Sequence, residues 1–178
     1  MAQLSFFTEE DVEAIISLPF RAGMFVSYAE DEDGEQDDVL EMKALEECLK
    51  EIARVHNGEQ LTKEIAAAIL NAKDKWSAWS QGVFNIEPLC EQAIVSLKTQ
   101  AGKEEVKDYI KMTLEVATSV AQAYGEFGEE QEDEKGFFGK IVAAVTSISV
   151  DDSAHPMNVS AAEDSAIATV ASALKRAA

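Results

Sequence analysis

From Phe20 to Ala29 the chain reads Phe-Arg-Ala-Gly-Met-Phe-Val-Ser-Tyr-Ala, apolar on nearly every side of a helix. A surface helix needs only one apolar stripe, so a helix of this kind has to be surrounded by others. A length of 178 residues suits one compact domain, and 47% hydrophobic residues can supply the surround. A second segment, Val116-Ala-Thr-Ser-Val-Ala-Gln-Ala-Tyr-Gly125, is apolar and small in the same way. Two buried helices and no convincing strand alternation predict an all-α fold, a single-domain helical bundle of about seven to nine helices.

The first buried helix leads into its opposite. Of the twelve residues from Glu30 to Glu41, eight are carboxylates. Carboxylates this crowded repel one another unless water surrounds them or a cation sits among them. The chain carries 15 basic and 34 acidic residues, a formal charge of −19. At physiological salt such a field repels phosphate backbones and anionic headgroups over roughly 8 Å, which disfavours direct binding to nucleic acid or membrane. It fits a soluble cytoplasmic protein, a cation binder, or a domain that docks on basic surfaces. The amino-terminal Met-Ala-Gln-Leu-Ser-Phe-Phe-Thr-Glu-Glu has neither a basic region nor a long apolar core, so no signal peptide is expected. Ile141 to Val150, the stretch that most invites a membrane reading, falls far short of the ~20 residues of a spanning helix. Cys48 and Cys90, the only cysteines, each fall in an apolar stripe at helical spacing and read as reduced core residues.

Thr8-Glu9-Glu10-Asp11 has the form of a capped helix start, and Leu18-Pro19 is expected to end that helix and open the buried one. After the acidic stretch, with its turn signal at Asp33-Gly34, Asp38-Val39-Leu40-Glu41 matches a capping box. Leu45, Cys48, Leu49 and Ile52 then give an amphipathic helix to about Val55, before Asn57-Gly58. Leu61, Ile65, Ala68 and Ile69 mark a fourth helix, and Trp76, Trp79 and Val83 a short fifth whose tryptophans serve packing. Asn85-Ile86-Glu87-Pro88 opens a helix closed by Ala101-Gly102, and a long helix follows through Val106, Ile110, Leu114, Ala117, Ala121 and Tyr124. Residues 125–157 read as irregular, with six acids between Glu126 and Glu134, a Gly136-Phe-Phe-Gly139 loop and a β-branched run. Ser160-Ala161-Ala162-Glu163 is a second capping box, with Val159 as hydrophobic staple, opening a last helix through Ala166, Ile167, Val170 and Leu174.

Superposing the two capping boxes reveals an internal repeat. Asp38 falls on Ser160, Glu41 on Glu163, Leu45 on Ile167, Cys48 on Val170 and Ile52 on Leu174. Each copy is a buried helix, an acidic glycine-containing loop and a capped amphipathic helix. Repeat one spans about 8–56, connecting helices 59–101, and repeat two 103–178 with an insertion at 125–157. Two such halves would bury their apolar faces against each other about a pseudo-twofold axis.

With Phe25-Val-Ser-Tyr-Ala29, Asp33-Gly34 and Glu41 in one copy, and Val116 to Gly125, Val159-Ser160 and Glu163 in the other, the chain resembles the tellurite-resistance protein B (TerB-like) family. The resemblance covers most of the chain. It implies an all-helical domain whose two acidic loops lie near each other and hold a divalent cation, in a stress response linked to toxic oxyanions and phage. The second copy carries Tyr124 where the family pattern has aspartate before the glycine, and the first has two or three extra residues between Asp33-Gly34 and Glu41.

Oxygen donors at loop-to-helix junctions suit hard cations such as calcium or magnesium. An EF-hand loop placed with Gly34 at its sixth position fails at both ends, where Ala29 and Leu40 fall. A site of another kind would draw on Asp31, Asp33, Glu35 and Glu41 from the first acidic segment and Glu126 and Glu163 from the second. Capping and the helix dipole alone also account for Asp38, Glu41 and Glu163. His56 and His155 have no motif spacing to a nucleophile or a metal partner, so no enzyme is expected. Two readings stand: a cation-binding stress-response module that also presents a surface to an unidentified protein partner, and a metal-independent acidic interaction or scaffold domain.

Overall fold

Thr8 begins the framework, its Oγ1 accepting the Asp11 N–H at 3.2 Å, with Glu9, Glu10 and Asp11 on the positive end of the first helix. The structure, a computed structural model, describes residues 2–30, 35–55, 60–127 and 160–178. Among them are seven α-helices and no strand: α1 (Glu9–Ser27), α2 (Glu35–Val55), α3 (Gln60–Asn71), α4 (Trp76–Trp79), α5 (Ile86–Lys98), α6 (Lys103–Phe127) and α7 (Ala161–Ala177). A 3-10 turn, Tyr28–Glu30, continues α1 toward the acidic segment. The fold is all-α, as its hydrophobic pattern predicts.

α1 is one helix, not the two that Pro19 suggests, because the chain repairs what proline removes. Pro19 has no N–H for the Ile15 carbonyl four residues back. The Tyr109 hydroxyl of α6 donates to that carbonyl at 2.7 Å instead. Ile15, Leu18, Phe20, Ala22, Met24 and Val26 are all buried, so the same packing continues on both sides of the proline and outweighs the local signal to stop. Phe20 extends this core into α4, its ring centroid 5.0 Å from that of Trp76 and 5.7 Å from that of Trp79. Trp76 Nε1 donates to the Ile69 carbonyl, so the tryptophan serves packing, as expected.

α1 packs most extensively against α6, and also against α5. Gly23 permits part of this: a Cβ there would stand 2.9 Å from Leu45 Cδ1 and 3.3 Å from Val120 Cγ2. The missing side chain lets α1 approach α2 and α6 together. α2 lies on α3 and α6 through Leu45, Cys48, Leu49 and Ile52, all fully buried. α7 lies on α5, α6, α1 and the 3-10 turn. Arg176 on α7 pairs with Glu87 on α5 at 2.8 Å.

Two boundaries differ from the sequence reading. α2 starts at Glu35, so Asp38 and Glu41 are interior helical positions and the capping box expected there is not a helix start. Glu35, Gln36 and Asp37 are tolerated or favoured in a first turn, and the acids suit its positive end, so the helix extends back past the motif. α6 runs to Phe127, which places Gly125 and Glu126 in its last turn rather than in a loop. The Gly136-Phe-Phe-Gly139 loop, the β-branched run, Asn57-Gly58, both histidines and the Val159 staple lie outside the described residues.

Candidate functional site

The 3-10 turn delivers the chain to Asp31 while packed against α7, the helix whose first turn holds Glu163. The turn that follows the first buried helix and the last helix are thus packed together. Tyr28 in this turn stacks on Phe84 with ring centroids 5.9 Å apart, and Phe84 is 75% exposed. The turn that precedes the first acidic segment in the chain therefore carries an aromatic pair with one ring at the surface.

Glu163 is fully buried. Its Oε2 accepts the Ser160 N–H at 2.9 Å, and Ser160 Oγ accepts the Glu163 N–H at 3.2 Å, the reciprocal capping box expected from the sequence. Its second oxygen, Oε1, is buried as well. A buried carboxylate at a helix start has the hard oxygen chemistry of a calcium or magnesium ligand, with one oxygen already engaged in the cap.

The other five candidates are distributed differently from the sequence reading. Asp31 and Asp33 lie outside the described residues. Glu35 and Glu41 are helical positions of α2, six residues apart, which separates them by about 9 Å along the axis and about a third of a turn around it. Glu126 belongs to the last turn of α6. No group of three or more histidine, cysteine, aspartate or glutamate side chains suited to a metal occurs among the described residues.

Sequence reading missed Glu115. It sits in the half of α6 read as apolar and small, yet it is only 2% exposed, with Lys111 Nζ at 3.7 Å. Thr113 and Ser119 are buried on the same helix. The only signal was an acid four residues after a lysine, the spacing of an ordinary surface pair. Cys48 and Cys90 are free thiols, buried as predicted. Burial pushes both up to about 12, and neighbouring carboxylates, Glu115 by Cys48 and Glu87 by Cys90, push the same way. Neither thiol is activated as a nucleophile. No described helix is long and apolar enough to cross a membrane.

No protein-family model, curated protein or solved structure matches the chain significantly.

Proposed function

We propose that this is a non-enzymatic, cytoplasmic module of the TerB-like kind, whose two acidic segments gather a divalent cation, calcium or magnesium, and present a surface to a protein partner. The observation that carries the reading is the 3-10 turn before Asp31 packed on α7, the helix whose first turn holds the buried Glu163. The helix pairing supports the repeat behind it: α1 meets α6, α2 meets α6, and α7 meets α1. Asp31, Asp33 and Glu163 would supply the oxygen ligands, with Glu35 at the start of α2, Glu41 within it and Glu126 in the last turn of α6 as the further acids. The exposed Phe84, stacked on Tyr28, would stand at the rim of the partner surface.

The test is thermal unfolding of chelator-treated protein with calcium, magnesium, zinc or manganese added at constant ionic strength. A cation at 100 times its dissociation constant adds about 2.7 kcal/mol, a shift of several degrees in a domain this size. The double variant Asp33→Asn, Glu41→Gln should lose that shift. Equal small shifts with every divalent ion would mean screening alone.

The capping box favours a second reading, a metal-independent acidic interaction domain. Glu163 Oε2 is already engaged by Ser160, which explains the residue without any ion. On this reading no cation shifts the unfolding temperature selectively, and binding of a basic partner weakens steeply with salt.

A further inference from the structure

Between α1 and α5 lies a cleft of about 240 Å³, lined among others by Glu10, Glu13, Leu18 and Arg21 on α1 and Leu89 and Gln92 on α5. Its charges are unequally served. Glu13 is engaged at both oxygens: Oε1 accepts from Trp79 Nε1 and Oε2 from Lys75 Nζ, each at 2.6 Å. Arg21, the one basic residue lining the cleft, has a buried Nε with no hydrogen-bond partner. Among the described residues no carboxylate forms an ion pair with it, although the chain has 34 acids for 15 bases. Buried donors are almost always satisfied, and a charged one left bare calls for an acceptor. Burial lowers the pKa of this guanidinium while the charge of Glu13 raises it, so the group sits in a partly desolvated place where an anion is felt strongly.

We propose that this cleft binds a small zwitterion of the amino-acid class, its carboxylate on the Arg21 guanidinium, its ammonium toward the Glu13 and Glu10 end, and its side chain against Leu18 and Leu89. A carboxylate matches the planar fork of arginine and can bridge the two terminal nitrogens of Arg21. Glu10 and Glu13 oppose a phosphate or a dicarboxylate, whose further negative charge would face them, and they attract an amine. The volume is below the ~300 Å³ at which drug-sized pockets begin, so the ligand is small. Gln92 adds an amide able to donate to the carboxylate or to accept from the amine.

Titration calorimetry of the full chain against the free amino acids, with acetate, propionate and inorganic phosphate as controls, tests this. One or a few amino acids should bind with a dissociation constant of millimolar or below, and the amine-free acids at least tenfold more weakly. Arg21→Gln should lose at least tenfold in affinity, about 1.4 kcal/mol, while Arg21→Lys keeps part of it. Circular dichroism of each variant separates lost binding from lost folding, and Glu10→Gln, at an exposed position, should weaken the amino acids but not acetate. Absence of amino-acid binding to the wild type, unchanged affinity in Arg21→Gln, or equal binding of acetate would overturn the proposal.

Discussion

The helices α2 and α7 carry the same local signal, an oxygen-bearing residue followed three positions later by glutamate, and only one of them starts there. At Ser160 and Glu163 the box closes in both directions and α7 begins at Ala161. At Asp38 and Glu41 the helix is already running, having begun at Glu35. A capping box stops a helix from extending backward only when the residues before it do not favour helix themselves. Glu35 and Gln36 are good helix formers, and Glu35 and Asp37 put negative charge at the positive pole. α2 is therefore placed by its packed face, with Leu45, Cys48, Leu49 and Ile52 fully buried, whereas α7 has both a packed face and a closed cap.

This contrast can be broken, and the largest effect should come from packing. Leu49→Ala, at a fully buried position of α2, should cost about 3 kcal/mol in urea unfolding, the transfer loss plus an unfilled cavity. A cost below about 1 kcal/mol would mean that the face of α2 does not hold it. Next comes the other place where tertiary contact overrides a local stop. Tyr109→Phe leaves the Ile15 carbonyl without its donor and should cost about 1–3 kcal/mol. In a Pro19→Ala background the restored N–H serves that carbonyl, so the same change should cost markedly less. Equal costs in a double-mutant cycle would show that the hydroxyl does not stand in for the proline's missing N–H.

The caps themselves should give a smaller and unequal pair. Ser160→Ala should cost about 1 kcal/mol, whereas Asp38→Ala, at an interior helical position, should stay within about 0.5 kcal/mol of wild type. Similar losses at both sites would move the start of α2 back to the motif. The smallest effect lies away from both starts, in the pH dependence of Glu13. Burial raises its pKa, but hydrogen bonds from Lys75 and Trp79 outweigh this and hold it below the ordinary 4.5. A lowered carboxylate contributes stability above its unfolded pKa and loses it as pH falls through the folded value. Wild type should therefore lose stability below about pH 4.5 more steeply than Glu13→Gln, whereas parallel acid limbs would show that the two donors do not favour the charged form.

Much of this was legible because it depends on spacing alone. The stripe of Leu45, Cys48, Leu49 and Ile52, the cap at Thr8, the tryptophan pair and the reduced thiols all follow from periodicity and neighbouring residues. Of the candidate ligands, only the capping role of Glu163 was both readable and describable in atomic contacts. The positions of Glu35, Glu41 and Glu126 on helices were not, because helix ends depend on how far packing carries a segment past its local signals.

The sequence by itself determined an all-helical chain with two apolar helices at its centre, since a helix apolar on every side has to be enclosed. Tertiary structure alone decided that Pro19 lies inside α1, that Glu115 is buried, and that Arg21 faces a cleft without a partner. Each depends on a residue distant in the chain, such as Tyr109 donating to Ile15 or Lys75 and Trp79 engaging Glu13. Local sequence sets which conformations are cheap, and only the assembled neighbours determine which polar groups are satisfied.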